Sequence, residues 1–191
     1  MGCPITLMSE CSGAAMSVGD VRFFESGLAL IEGKGDLQGA LTHLVQLAAE
    51  GANSNSASFY IVDTRESVLK PLVTYGLPAA YVEACGNVRI GDQCCGRAVQ
   101  HRKPWIVSDM LDDPLFASAR SAALVSPIRA GFSVPVISVN GECLGALACQ
   151  YSEPYTPSKD QIERNETWAS MIAHIMSEYK AARPGKNGSE L

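Results

Sequence analysis

Asn140-Gly141 stands between two apolar runs, FSVPVISV (132–139) and CLGALACQY (143–151). An Asn-Gly pair so placed is the strongest short-range hairpin signal a sequence carries. It predicts an antiparallel pair, Gly131–Val139 with Cys143–Tyr151, around which the rest of a sheet must assemble. An earlier apolar run, WIVSD (105–109), ends at the turn chemistry of Asp112–Pro114. Between that run and the hairpin lies a small-residue segment, Phe116–Leu124, bounded by prolines. A cavity between such a sheet and a covering segment is a natural place for a small ligand.

The remaining elements follow from capping residues and periodicity. Asp20 opens a short helix to Ile31, with Phe23, Phe24, Leu28 and Ile31 as its stripe. Asp36 caps a second helix, Leu37–Glu50, whose inner face is Leu37, Leu41, Leu44, Val45 and Ala48. Ala57–Asp63 and Val68–Tyr75 are paired strands. Gly76-Leu77-Pro78 starts a helix to about Cys85, Asn87–Ile90 is a short strand, and a helix runs over Cys94–His101, whose N-terminus either is capped by Asp92 or offers its free N–H groups to an anion or carbonyl oxygen. Leu115–Leu124 should be helical. Ile128–Val139 is a strand in which Pro135 demands an edge or a bulge. Ser158 caps a last helix to about Ala181, with Trp168, Met171, Ile172, Ile175 and Tyr179 as its stripe. The expected fold is α+β: a central antiparallel sheet of five to six strands. The terminal helices pack on one face, and segments 76–101 and 110–127 cover the other.

The stretch CCGRAVQHRKPWIVSDMLDDPLFASAR, followed by RAGFSVPVISVNGECLGALACQY, resembles the GAF domain, a small-molecule sensory module. The likeness rests on Cys95-Gly96-Arg97-Ala98 at a helix start, an apolar strand ending in Asp109, and Asp113-Pro114. It continues through Ser133-Val134-Pro135-Val136 and Gly141-Glu142-Cys143-Leu144-Gly145. It spans roughly Asp36 to Ile175. It implies a domain over 36–181, with a flexible extension (1–19), a short helix (20–35) that dimerises in such proteins, and a loose tail (182–191). It also implies a pocket between sheet and cover, whose best-placed residues are Tyr75, Asp92, Cys95, Asp109, Phe116, Arg129, Ser133 and Cys149.

Among these, Arg129 is the cation entering the central hairpin. Its guanidinium would clamp a carboxylate, nitrate or phosphate, or else pair with Asp109, Asp112 or Asp113. Phe116 would stack on a planar guest or fill the core. Cys94 and Cys95 open a helix, and a helix N-terminus lowers a thiol pKa, so both are redox candidates; alternatively Cys95 is a small buried residue. Free methionine-(R)-sulfoxide reductases share this fold, and Cys95 falls where one of their cysteines lies. Their reactive cysteine belongs to the segment that here reads Phe116-Ala117-Ser118-Ala119-Arg120, which holds no thiol. Bilin-binding relatives need a Cys-His pair that is absent here. Haem would need an axial ligand, and His43, His101 and His174 fall on polar helix faces or a helix end.

Net charge is −5 with no Lys/Arg cluster, which argues against nucleic acid and against an electrostatically held membrane surface. No apolar run approaches the roughly 20 residues of a membrane span, and the N-terminus lacks a basic signal-peptide region. The seven cysteines are odd in number and include no C-x-x-C, as expected of reduced cytoplasmic thiols. The whole reads as a sensory domain that binds a small molecule or anion, forms a homodimer and signals to a sensor kinase or transcription regulator. The cofactor, if any, is not specified by these residues. A thiol-based redox protein and a ligand-free dimerisation module are the alternatives.

Overall fold

Asp36 sets the start of the first helix. Its carboxylate accepts from the backbone N–H groups of Gln38 and Gly39 at 3.1 and 3.0 Å, satisfying two otherwise orphaned donors. Helix α1 then runs Leu37–Gly51 and buries Leu37, Ala40, Leu41, Leu44, Val45, Ala48 and Ala49. The computed structural model describes residues 36–181. The expected helix over Asp20–Ile31 and the extensions 1–19 and 182–191 lie outside the described residues.

The chain continues as β1 (Ser56–Asp63), β2 (Val68–Tyr75), α2 (Ala79–Cys85), β3 (Val88–Arg89), α3 (Gln93–His101) and β4 (Trp105–Val107). A 3-10 turn over Pro114–Ala119 leads into α4 (Arg120–Leu124), then β5 (Ala130–Ile137), β6 (Cys143–Tyr151) and α5 (Lys159–Ala181). The six strands form one sheet in the order β3-β2-β1-β6-β5-β4, antiparallel throughout. The architecture is therefore the expected α+β one. Helices α1 and α5 close over one face with Phe59, Phe132, Val134 and Leu147 beneath them. Helices α2, α3 and α4 and the 3-10 turn lie over the other.

The β5–β6 hairpin turns at Asn140-Gly141 as its sequence requires. Gly141 N–H donates to the Ser138 carbonyl at 2.9 Å, and Ser138 N–H donates to the Glu142 carbonyl at 2.8 Å. Two further glycines let backbones touch. A Cβ on Gly145 would sit 2.0 Å from the Tyr60 carbonyl oxygen on β1, and one on Gly96 would sit 2.1 Å from the Arg89 carbonyl oxygen on β3. Glycine at these points is what brings β6 onto β1 and α3 down onto the sheet.

Three elements differ from expectation. The segment 114–124 is a 3-10 turn followed by a short helix, not one helix. Phe116, Ala119 and Ala122 are all buried and recur every three residues, so a three-residue turn keeps them on one face. Strand β4 stops at Val107, and β3 is only two residues long. Pro135 pairs with Ala146 of β6, but β4 reaches only as far as Ser133, so the proline occupies a stretch of β5 with one neighbour. Pro71 does the same on β2, where β3 pairs only with Val68 and Leu69.

Ser158 and Gln161 form a reciprocal capping box at the start of α5. Gln161 N–H donates to Ser158 Oγ at 3.3 Å, and Ser158 N–H donates to Gln161 Oε1 at 2.8 Å. Gln161 Nε2 also donates to the Ala52 carbonyl at 2.6 Å, tying α5 to the end of α1. The buried face of α5 is Asn165, Ala169, Ile172, Ala173, Ile175 and Met176, while Trp168, Met171 and Tyr179 flank it half-buried. The stripe is rotated because small residues allow the closest approach to α1, and the aromatic rings keep an edge toward solvent.

Candidate functional site

Strand alternation gives the two sheet faces opposite chemistry. Ala57, Phe59, Phe132, Val134 and Leu147 point to the terminal helices. Their neighbours Ser58, Tyr60, Ser133, Ala146, Ala148 and Gln150 point to the covering layer and are buried as well. This second face is small and polar, and it does not fill the space beneath the cover. A void of about 20 Å³ open to the centres of water molecules remains, space for one or two of them. Tyr60, Ser133 and Gln150 form its floor. Tyr81, Cys85, Cys95, Met110 and Phe116 contribute its walls from the covering side.

The buried polar groups of the floor are partly satisfied by one another. Gln150 accepts from the Ser56 hydroxyl at 3.3 Å through Oε1 and donates from Nε2 to Ser58 Oγ at 2.9 Å. Cys95 Sγ lies 3.3 Å from Ser133 Oγ. Cys94 turns aside, donating its thiol to the Trp105 carbonyl at 3.2 Å. Asp92 caps α3 by accepting from Gln93 N–H at 2.9 Å and lies 3.7 Å from Arg89.

Two arginines near the cover, Arg129 and Arg97, already face carboxylates, while a third, Arg120 at the start of α4, keeps a buried Nε without a hydrogen-bond partner and does not line the void. Arg129 forms a two-pronged pair with Asp109, with Nε–Oδ1 at 3.2 Å. Arg97, on the inner side of α3 and only 3% exposed, reaches one Asp113 oxygen through Nη1 and Nη2 at 3.1 Å each. Its Nε donates to the Gln93 carbonyl, and its guanidinium carbon lies 5.2 Å from the centre of the Trp105 ring. Arg97 thus ties α3 to the first residues of the covering turn.

Of the residues expected from sequence, Cys94, Cys95, Phe116 and Ser133 line the void. Cys149 borders it along β6, but its thiol points the other way, donating to Asn165 Oδ1 at 3.2 Å under α5. Tyr75 packs against the terminal-helix core. Asp92, Asp109 and Arg129 stand outside the void, engaged as described. Tyr60, Tyr81, Cys85, Gln93 and Gln150 line it without having been anticipated. The alternation Ser56-Ser58-Tyr60 against Ala57-Phe59, and Ala146-Ala148-Gln150 against Leu147-Cys149, carries the signal for two of them. Among the described residues, none of His43, His101 and His174 lines the void; His101 stacks on Trp105 at 4.9 Å.

The expected thiol activation is reversed. Burial pushes Cys94 up to about 12 and Cys95 up to about 11, outweighing any gain from the helix terminus. At pH 8 a thiol with pKa 11 is only about one part in a thousand thiolate. The native protein should therefore leave Cys94 and Cys95 unmodified by a thiol-specific reagent for hours at pH 8, while unfolding exposes them within minutes. Mass mapping of the alkylated cysteines checks this, and rapid native labelling of either would overturn it.

Asp109 titrates in the opposite sense. The Arg129 hydrogen bonds, and then the Leu111 N–H, hold its carboxyl below the usual carboxylate range. A depressed pKa contributes stability that is fully present above the unfolded value of about 3.9 and is lost as pH falls through the folded one. From pH 5 down to pH 3 and below, the wild-type melting midpoint should fall more than that of Asp109→Asn. Parallel falls in the two proteins would refute the contribution.

Comparison with known proteins agrees with the fold. A family model described as "GAF domain" matches residues 34–177. No curated protein matches the sequence. Among solved structures, the GAF domain of an Acinetobacter phosphoenolpyruvate-protein phosphotransferase superposes with a TM-score of 0.67 at 17% identity, covering 90% of this chain and 100% of that one. Free methionine-R-sulfoxide reductase from Neisseria meningitidis, solved with its substrate, gives 0.65 at 19% identity over 92% and 100%. A domain described as that of a two-component sensor histidine kinase protein from Sinorhizobium meliloti 1021 gives 0.62 at 16% identity over 73% and 90%. At these identities the structures speak to the fold alone. Among the described residues no helix is long and apolar enough to cross a membrane. With a six-stranded antiparallel sheet, its enclosed polar face and a family match over most of its length, the chain belongs to the GAF domain family.

Proposed function

We propose that this chain is a cytoplasmic sensory domain: a small molecule enters beneath the covering segment, and the terminal helices pass the change to a partner. The observation that carries the reading is the void between the polar sheet face and the 3-10/α4 cover. A core built only for stability would place apolar side chains at Ser58, Ser133 and Gln150. The void has room for one or two waters, so a larger guest must displace the cover. Binding would then select an arrangement of 110–124 that differs from the closed one, which is a population shift.

The outlet runs through two contacts. Tyr155 N–H donates to the Ser108 carbonyl at 3.0 Å, and the Ser108 and Thr156 hydroxyls lie 2.9 Å apart. The start of the cover is thereby attached to the linker that leads into α5. The partner in this reading is a second copy of the chain, and through it a sensor kinase or transcription regulator. A thiol-reductase activity is disfavoured because the cysteines at the void are buried and held protonated.

The test is a thermal-melt screen with nitrate, cyclic nucleotides, amino acids, haem and neutral metabolite-sized compounds. A compound that binds only the folded state must raise the midpoint, by about 2.7 kcal/mol of added stability at one hundred times its Kd. The rise should vanish when Ser133 is replaced by a bulkier Val. A screen with no response, together with wild-type signalling from Ser133→Val, would end the receptor reading.

A further inference from the structure

The charge of the guest can be read from what surrounds the void; this rests on the receptor reading above. Among the described residues, no Asp, Glu, Lys, Arg or His lines it. Arg97 and Arg129 are each already opposed by a carboxylate, Asp113 and Asp109. The start of α3, which would otherwise attract an anion, holds the Asp92 carboxylate. The phenol and thiols that do line the void are neutral, because burial raises the pKa of Tyr60 and pushes Cys85 up to about 12. An ion entering this space would give up its hydration without meeting a countercharge, which is strongly unfavourable.

A purely apolar guest fits no better. Tyr60 lines the void at 3% exposure, and its hydroxyl makes no hydrogen bond to any described residue. Gln93 lines it at 8% exposure, and its carboxamide makes none either. Gln93 also carries a positive φ of 50°, an unfavourable conformation for a side-chain-bearing residue, at the mouth of α3. Two largely buried polar side chains that line the void and make no hydrogen bond to a described residue are groups that a hydrogen-bonding occupant would satisfy in place of water.

We propose that the void accepts a small uncharged hydrogen-bonding molecule, of amide or alcohol type, whose oxygen accepts from the Tyr60 hydroxyl and whose remaining polar contact falls to Gln93. Anions and cations are excluded by the same surroundings.

Formamide and formate have the same three-heavy-atom shape and differ in charge, so they separate the possibilities. The full chain, labelled with nitrogen-15, is titrated with each at pH 7 and matched ionic strength. Formamide should shift the amide signals around Tyr60 and Ser133 saturably, with a Kd on the order of millimolar, the best that so few atoms allow. Formate should leave those signals unmoved, and Tyr60→Phe should weaken formamide at least about tenfold.

Saturable formate binding as tight as formamide would overturn the charge inference while leaving the receptor reading in place. Formamide binding untouched by Tyr60→Phe would overturn the assignment to that hydroxyl. Phe116→Ala enlarges the void, with Phe116→Leu as the milder substitute should the first not fold. If neither probe binds the wild type, and neither acetamide nor acetate binds the enlarged variant, the void is not a binding site and both readings fall together.

Discussion

Gly145→Ala is expected to remove about 3 kcal/mol or more of folding stability, against a total of about 5–15 kcal/mol for a domain of ordinary stability. The added methyl would lie 2.0 Å from the Tyr60 carbonyl oxygen and 2.9 Å from a ring carbon of Phe59. Neither neighbour can yield cheaply. Tyr60 is held on its other side by pairing with Pro71 of β2, and Phe59 is fully buried under the terminal helices. The strand must therefore separate from β1 at the centre of the sheet, and the floor of the void goes with it. Gly141→Ala is the control. Nothing lies within 4 Å of its added Cβ, but its φ of 80° leaves a conformational penalty of roughly 1–2 kcal/mol. Urea denaturation of both variants checks the order, and a Gly145→Ala midpoint equal to that of Gly141→Ala would show the β1–β6 contact to be slack.

Asp113→Ala should cost about 3–5 kcal/mol, because it strands a guanidinium that is only 3% exposed. Arg97→Met should cost less. It removes the charge that needs a partner, keeps most of the stem that packs beneath Trp105, and leaves Asp113, itself more exposed, to reach water. The asymmetry matters more than either value. If the Arg97–Asp113 pair merely decorated the surface, both substitutions would be worth under about 1 kcal/mol and would be additive. A double variant nearly as stable as Arg97→Met alone supports a buried pair. Because Asp113 begins the covering turn, Asp113→Ala should also speed hydrogen exchange in residues 113–124 selectively. Uniform acceleration across the domain would mean a global loss and no latch.

Much of the architecture was legible because it follows from local chemistry. Asn140-Gly141 specified the hairpin, Asp36 and Ser158 marked helix starts, and the i, i+4 and i+3 steps of Leu37, Leu41, Val45 and Ala48 gave the inner face of α1. The covering segment was harder. Its burial recurs every three residues at Phe116, Ala119 and Ala122, a period that falls between the helix and strand templates. The site was read least well, for a physical reason. For Arg129 the sequence leaves two readings open, an anion clamp or a pair with Asp109, Asp112 or Asp113, and the fold realises the pair with Asp109. Arg97 lies in a short helix, where an arginine is normally solvated; only the tertiary position of Trp105 and Asp113 turns it inward. Tyr60 and Gln150 sat in runs that read as buried strand, and alternation alone does not say which buried face is left partly empty.

The rims of the sheet have a consequence of their own. Strand β3 covers only Val68 and Leu69 of β2, and β4 covers only Gly131–Ser133 of β5, so among the described residues no strand pairs with the outer side of either long strand beyond its short neighbour. Each such stretch contains a proline, Pro71 and Pro135, which has no N–H to offer an incoming strand. Another molecule attempting to extend the layer would meet an interrupted ladder at either border. The fold is thereby guarded against end-to-end polymerisation into fibrils, and Pro71→Val or Pro135→Val should form aggregates sooner than the parent on prolonged warming.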